Sequence, residues 1–327
     1  MLLVTGAAGF IGSNFVIGHL QEHDEPVVVL DALTYAGDLS NLADVKEDPR
    51  LVFVHGDVAD SLLVDELFER HRPRAVVHFA AESHVDRSIS DPLRFVQTNV
   101  MCTANLLSVC QRRLGCLPAD FHFINISTDE VYGSLPTDVP PSDETRAFAP
   151  SSPYSASKAA ADQLGRAFFK TYGLPVVTVR CTNNYGPRQY PEKLLPFMIS
   201  QAIEEKPLTV YGDGEQIRDW IHVDDFCRAI ETVLKKGVPG ESYNVGANHE
   251  MTNLDFLRKL CATLDRLRPR NNGKYEDLIA HVADRPGHDR RYGLDAGKIR
   301  RELGWSPQVP FDEGFEETVR WYLHRLG

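Results

Sequence analysis

The sequence predicts an α/β protein: a doubly wound parallel sheet with a smaller α/β domain attached. Three observations predict it. Short β-branched runs alternate with longer helical patterns from the first residues onward. A glycine-spaced turn joins the first such run to the first helical stretch. After about residue 185, prolines and aromatics become frequent and the periodicity weakens. The length of 327 residues accommodates two domains at roughly 150 residues each.

Taken in order, residues 2–5 (Leu-Leu-Val-Thr) read as a buried strand and 11–21 as a helix. Strands follow at 27–30, 51–55 and 75–79. Between the last two, Leu62, Leu63, Val64, Leu67 and Phe68 share one face of a helix over 61–71. A long helix follows Pro92, then a strand at 121–126. The next helix opens at Ser151-Ser152-Pro153, where Ser152 caps and Pro153 suits the first turn. A sixth strand lies at 176–180, and the chain returns to the sheet near 241–245. The expected division is 1–186 with about 224–250 in the first domain, and about 187–223 with 251–327 in the second.

Composition narrows the function. Hydrophobic residues at 43% and charged residues at 25% are globular values, which excludes disordered and fibrous chains. A net charge of −11 argues against nucleic acid and against an anionic membrane as partner. No apolar run approaches a membrane span, and Met1 to Gly12 lack the basic start of a signal peptide. The cysteines, Cys102, Cys110, Cys116, Cys181, Cys227 and Cys261, form no CxxC pair and read as buried thiols in a reducing cytoplasm. The twelve histidines show no HExxH spacing, so no metal site is expected.

Gly6, Gly9 and Gly12 sit on the first strand–helix turn, where they allow a pyrophosphate to approach the backbone and rest on the helix N-terminus. Asp31 lies 19 residues beyond Gly12 at the end of the second strand, placed to accept both ribose hydroxyls of an adenosine. A carboxylate there repels a 2′-phosphate, so the sheet is Rossmann-type and NAD is favoured over NADP. Tyr154 and Lys158 stand one helical turn apart on one face. An ammonium so placed stabilises a tyrosinate that can accept an alcohol proton. Thr128, Asp129 and Glu130 follow Ser127 at the C-terminal end of the fifth strand, where open α/β sheets bind ligands. Two acids at a strand end read equally as a solvated turn or a helix cap.

The 6–12 pattern together with Tyr154 and Lys158 resembles the extended short-chain dehydrogenase/reductase family. The stretches 30–37, 80–89, 127–133, 183–187, 191–194, 217–220 and 285–292 resemble its nucleotide-sugar 4,6-dehydratases along nearly the whole chain. Asp129 discriminates within the family. C4 epimerases usually carry small residues after the strand-end Ser, and dehydratases of GDP-mannose tend to show Thr-Ser-Glu. Thr-Asp-Glu resembles the members acting on dTDP-glucose. Ala7, Asp38 and Thr182 depart from common family choices, and no chemistry is assigned to them.

The resemblance implies an NAD-dependent hydro-lyase that converts dTDP-glucose to its 4-keto-6-deoxy product in deoxysugar (rhamnose-type) biosynthesis. UDP-glucose dehydration, C4 epimerisation and a catalytically silent NAD-sensing protein are the alternatives. Tyr154, helped by Lys158 and Thr128, would take the 4-hydroxyl proton as C4 gives hydride to NAD. Glu130 would remove the C5 proton and Asp129 protonate the leaving 6-hydroxyl, with hydride then returning to C6. Further implied cofactor contacts are Phe10, Ile11, Leu33, Thr34, Asp57 and Val58, with Ala80, Ala81, Ser83, Thr98 and Asn184. Val58, Ala80 and Ala81 read equally as strand-end packing. Implied substrate contacts are Ser83, Thr128, Asn183, Lys193 and Leu194, with Tyr211, Arg218, Asn253, Arg285 and His288. Arg218 and Arg285 suit a diphosphate by forked hydrogen bonding, and read equally as ion-paired arginines. The family also implies a homodimer through a four-helix bundle built from helices near 92–113 and 153–172. Leu106, Leu107, Leu164 and Phe168 are candidates for the seam, or face the sheet instead.

Overall fold

Alternating β-branched residues at the start of the chain fold into the middle of a seven-stranded, all-parallel sheet. The computed structural model describes residues 1–326. The strands of the main sheet are β1 (Leu2–Thr5), β2 (Val27–Asp31), β3 (Leu51–His55), β4 (Ala75–His78), β5 (His122–Thr128) and β6 (Val176–Cys181). Three short strands follow, β7 (Asn183–Tyr185), β8 (Leu208–Tyr211) and β9 (Ile217–His222), before β10 (Ser242–Val245) completes the main sheet. Its order is β10-β6-β5-β4-β1-β2-β3. The chain thus winds outward from β1 in one direction through β3, and from β4 in the other. The point where the direction reverses, between β1 and β4, is where such sheets open a cleft at their C-terminal ends.

Both faces of this sheet are covered, which is why its central strands β1, β2 and β4 are mostly apolar. On one face Val4, Val29, Val77 and Val179 meet helices Phe10–Glu22, Val223–Lys236 and Gly297–Leu303. On the other, Leu3, Val28, Val76 and Phe123 meet helix Ser61–His71 and helix Thr103–Arg112. Leu106 and Leu107 are fully buried there, so they face the sheet rather than a subunit seam. Ile299 and Leu303, expected in the second domain, pack on the first core. A separate core gathers Trp220, Phe256, Leu260, Phe315 and Val319 under helices Leu194–Ile203, Asn253–Leu267 and Phe311–Leu326. Two small sheets accompany it: β7 and β9 with β11 (Glu250–Thr252), and β8 with β12 (Ile279–Val282).

Two local features position the site. The helix expected after Pro92 is interrupted. It runs α-helical over Pro92–Phe95, widens to a π-helical turn over Val96–Cys102, and returns to α over Thr103–Arg112. Such widened turns recur at functional sites. The helix Pro153–Tyr172, by contrast, starts as the sequence indicates. The Ser152 hydroxyl accepts from the Ser155 amide, Ser155 accepts from the Ser152 amide in return, and Pro153 occupies the first turn.

That helix is held to three strands by one buried ion pair. Arg180 on β6 donates to Asp162 at 2.8 Å, and both side chains are almost wholly buried. Asn125 on β5 donates to the same carboxylate at 3.0 Å. Arg180 also donates to the Tyr132 hydroxyl, which donates to Asn244 on β10. Removing one member leaves the other charged and unpaired in a dry interior, at a cost of about 3–5 kcal/mol. Asp162→Ala should therefore lower unfolding stability by about that amount in urea titration. A loss of under about 1 kcal/mol would show that water reaches Arg180 and that the pair is not what anchors the helix.

Candidate active site

The cleft at the β1/β4 reversal has a volume of about 490 Å³, within the roughly 300–1,000 Å³ typical of small-molecule sites. Its floor is the glycine turn. Gly6 has φ +73°, and a Cβ on it would lie 2.5 Å from the Ala80 nitrogen. A Cβ on Gly12 would lie 2.7 Å from the Gly6 carbonyl oxygen. No side chain fits at either position, so the turn sits directly against the end of β4. Asp31 lines the cleft and is 7% exposed. Its two oxygens accept from the amides of Ala8 and Leu33, each at 2.8 Å. Burial raises its pKa against the pull of those two amides. Asp31 thus holds the glycine turn as well as facing the nucleoside end of the cleft, with lone pairs remaining on each oxygen.

Beneath the floor runs a chain of buried polar groups. His78 on β4 lies between the hydroxyls of Thr5 at 2.7 Å and Thr103 at 3.0 Å. Complete burial pushes its pKa down to about 3, so the ring is neutral. Thr103 donates to the carbonyl of Asn99, whose side chain bonds both backbone groups of Glu82 and the Ser157 hydroxyl. The π-helical turn presents Thr98 and Cys102 to the cleft while Asn99 points into this network. No periodicity rule marks that turn in the sequence.

At the end of β5, Thr128 donates to Asp129 at 3.1 Å and accepts from the Glu130 amide at 3.3 Å. Asp129 is 3% exposed, and its second carboxyl oxygen has no hydrogen-bond partner. Burial, with the neighbouring Glu130 charge adding to it, pushes its pKa up to about 8. Glu130 is also raised by burial, but Arg218, Arg285 and Lys193 all pull it back. Burial thus raises both carboxyls, and the cations oppose the rise mainly at Glu130. Asp129 favours the protonated form, and Glu130 faces three cations that favour its charge.

Tyr154 and Lys158 both line the same cleft. The Lys158 ammonium donates to the Ile126 carbonyl at 2.7 Å. Burial lowers the Lys158 pKa, while Tyr154 is raised by burial and by Glu130, with the Thr128 hydroxyl opposing. Lys158 is not among the groups acting on Tyr154, so the expected lowering of the phenol is not seen in the chain alone, where desolvation and two acids raise it.

Of the sequence-predicted residues, the cleft wall gathers Gly9, Phe10, Ile11, Thr34, Asp57, Val58, Ala80 and Ala81. Ser83, Asn183, Asn184 and Lys193 join them. Leu33, Leu194, Tyr211, Arg218, Asn253, Arg285 and His288 do not line it. Leu33 adopts φ +48° and supports Asp31 through its amide. Arg218 stacks its guanidinium 4.2 Å above the Tyr292 ring and donates to the Asp289 carbonyl. Arg285 pairs with Asp86 at 3.0 Å, and His288 with Asp284 at 2.7 Å. Leu194 and Asn253 begin helices, the latter's amide donating to the Gln216 carbonyl.

The wall also includes residues to which no role was assigned. Glu82 accepts from Arg94 at 2.7 Å, and Tyr35 meets Tyr190 edge-on with Arg87 stacked 4.0 Å over the Tyr35 ring. Glu82 and Arg87 stand inside the matching stretch 80–89, which is the one signal that could have singled them out.

Comparison with known proteins agrees with this geometry. The family model described as GDP-mannose 4,6 dehydratase matches residues 3–318. A dTDP-glucose 4,6-dehydratase of Xanthomonas campestris is 53% identical over 326 residues, covering 98% of this chain and 92% of the relative. A dTDP-glucose 4,6-dehydratase of Streptomyces venezuelae, solved with NAD and a second ligand bound, superposes with a TM-score of 0.91. It is 47% identical, and the match covers 99% and 97% of the two chains. A UDP-glucose 4-epimerase of Thermotoga maritima also superposes with a TM-score of 0.87, covering 100% of this chain and 99% of the epimerase, at 29% identity. Backbone shape is thus common to dehydratases and epimerases, whereas identity separates them. The chain belongs to the family of the dTDP-glucose 4,6-dehydratases.

Proposed function

We infer that the chain is an NAD-dependent hydro-lyase that removes water from dTDP-glucose to give dTDP-4-keto-6-deoxy-glucose, feeding deoxysugar biosynthesis. The observation that carries this reading is the adjacent buried pair Asp129–Glu130, with Asp129 pushed up to about 8 and the rise at Glu130 opposed by Arg218, Arg285 and Lys193. A C4 epimerase moves no hydroxyl from C6 and needs no such acid. A silent NAD-sensing protein needs neither Tyr154 nor Lys158. UDP-glucose differs from the favoured substrate by the thymine methyl and a ribose 2′-hydroxyl, and a methyl alone is worth about 1–3 kcal/mol of discrimination.

The residues present fit a dinucleotide. The glycine turn admits no side chain where the pyrophosphate would rest, and the helix Phe10–Glu22 begins there with no side-chain cap on its N-terminal amides. Ser127 Oγ, Asp129 Oδ2, Asn184 Oδ1 and Gln189 Oε1 are buried on the cleft wall without protein partners. Native proteins pair such atoms, so a bound ligand is their natural partner. Gly6, Gly9, Gly12, Phe10, Ile11, Asp31, Thr34 and Thr98 would hold the cofactor, with Asp57, Val58, Ala80, Ala81 and Asn184. Bound NAD supplies the hydride acceptor for C4 and the hydride donor for C6.

The chain's own groups then divide the proton work. Tyr154, with the Thr128 hydroxyl opposing the burial that raises its pKa, accepts the 4-hydroxyl proton. The resulting 4-ketone acidifies C5, and Glu130 removes that proton. Asp129 gives its proton to the departing 6-hydroxyl, water leaves, and a proton returned to C5 as C6 is reduced completes the 4-keto-6-deoxy product. Lys193, Arg218 and Arg285 gather positive charge near Glu130 in a protein of net charge −11, and the substrate diphosphate would draw on it.

We assign the two domains as 1–186 with about 224–250 for the cofactor, and about 187–223 with 251–327 for the nucleotide sugar, except that Ala296, Ile299, Leu303 and Trp305 pack on the cofactor core. We also assign a homodimer through a four-helix bundle of the helices within 92–112 and Pro153–Tyr172. Leu93 at 78%, Met101 at 54% and Val96 at 45% exposure support it, since large apolar residues rarely cluster uncovered. No described helix is long and apolar enough to cross a membrane. Six unpaired cysteines, with only Cys116 exposed, support a cytoplasmic setting.

Three outcomes follow. Asp129→Asn should still oxidise C4, seen as near-ultraviolet absorbance of reduced dinucleotide, while water loss slows by about 10²–10⁴-fold; unchanged turnover would remove Asp129 from the mechanism. Because Asp129 acts as its protonated form, the single-turnover elimination rate should fall as pH rises above about 8. A rate still rising through that pH would contradict the assignment. The Leu93→Asp, Met101→Asp double variant should elute as a monomer in size-exclusion chromatography with light scattering, whereas a monomeric unmodified protein would refute the bundle.

A further inference from the structure

The far end of the first helix holds a cluster unrelated to the cleft. Helix Phe10–Glu22 ends with His19 in its last turn and His23 as its cap, spaced His-x-x-Glu-His. A search for HExxH alone passes over this reversed order. Glu231, from the packed helix Val223–Lys236, reaches both rings: its oxygens lie 2.6 Å from His19 Nδ1 and 3.4 Å from His23 Nε2. One ligand atom from each of the three lies within 4.8 Å of the others. Gly12 and His23 are eleven residues apart, about 16 Å along the helix axis, so this end is remote from the glycine turn.

The environment of His19 is an independent observation. The residue is 2% exposed, and its second nitrogen, Nε2, has no hydrogen-bond partner. That nitrogen faces Glu25 Oε2 at 3.6 Å. Glu25 is held by Arg74 and by the terminal ammonium of Met1. A histidine that binds a metal through one nitrogen almost always presents the other N–H to a carboxylate, which fixes its tautomer and raises its basicity. Glu25 stands where that carboxylate belongs.

We propose that His19 Nδ1, His23 Nε2 and the Glu231 carboxylate bind one divalent transition-metal ion of the zinc type, clipping the first helix to helix Val223–Lys236. Two imidazoles and one carboxylate suit zinc, cobalt or nickel better than calcium or magnesium. Water completes the coordination, and the role is structural because the reacting groups lie at the other end of the helix. Lys235 Nζ sits 3.4 Å from His23 Nε2 and competes with the ion for this position. On binding, it swings out to solvent.

Lys235 makes the proposal separable from nonspecific metal uptake. Chelator-treated full-length protein is titrated with Co²⁺ followed by optical spectroscopy, then with Zn²⁺ followed by calorimetry and thermal unfolding. The expected result is one ion per chain and a raised unfolding temperature. His23→Ala and Glu231→Gln should each weaken binding by at least about tenfold, and Glu25→Gln by about tenfold. Lys235→Ala should tighten it several-fold, with dehydration unchanged in the His23→Ala and Lys235→Ala proteins. Absence of saturable binding, an affinity unaffected by His23→Ala and Glu231→Gln, or weaker binding in Lys235→Ala overturns the proposal.

Discussion

Two carboxyls placed side by side and withdrawn from water cannot both be ionised at modest cost, and the site is built around that constraint. Asp129 and Glu130 are neighbours in sequence at the end of β5, yet their surroundings differ. Asp129 faces inward with one oxygen unpartnered, while Glu130 meets Lys193, Arg218 and Arg285. Burial raises both carboxyls, and the cations oppose that rise mainly at Glu130. An elimination needs this asymmetry, one group to give a proton and another to take one.

The sheet makes the asymmetry possible. A strand end in the middle of a parallel sheet is dry on both faces, so acids there feel desolvation that a surface turn would relieve. β5 occupies such a position, between β4 and β6. The helix carrying Tyr154 and Lys158 is fixed to β5, β6 and β10 by the Asp162–Arg180 network, which sets the phenol beside the two acids. On the other side of the reversal, Gly6 presses against Ala80 and leaves the cleft open above the turn. The glycine turn and the carboxyl pair are thus separate consequences of one topology.

Much of this was legible from residue patterns because it rests on local rules. The alternating strands, the glycine turn with Asp31, and the Ser152 cap each follow from short-range geometry. The Thr-Asp-Glu order at 128–130 was legible only through family resemblance, since two acids at a strand end suit a solvated turn equally well. What was not legible depends on packing between distant segments. The π-helical turn over Val96–Cys102 is set by what Asn99 must reach, Glu82 and Ser157, and has no sequence period. Leu106 and Leu107 have the same helical spacing whether they face sheet or subunit, and only the fold places them inward. Arg218 and Arg285 act on Glu130 without being among the residues that line the cleft, a distinction that spacing cannot express.

The central claim is that Glu130 and Asp129 carry out a C5 deprotonation and a loss of water, and that this distinguishes the chain from epimerases of the same fold. Turnover of dTDP-glucose in heavy water, followed by mass spectrometry and nuclear magnetic resonance of the sugar, tests it most directly. The account predicts a product lighter by one water and carrying a single deuterium at C5. A product of unchanged composition with inverted C4, or one that has lost water without taking up deuterium at C5, would contradict it.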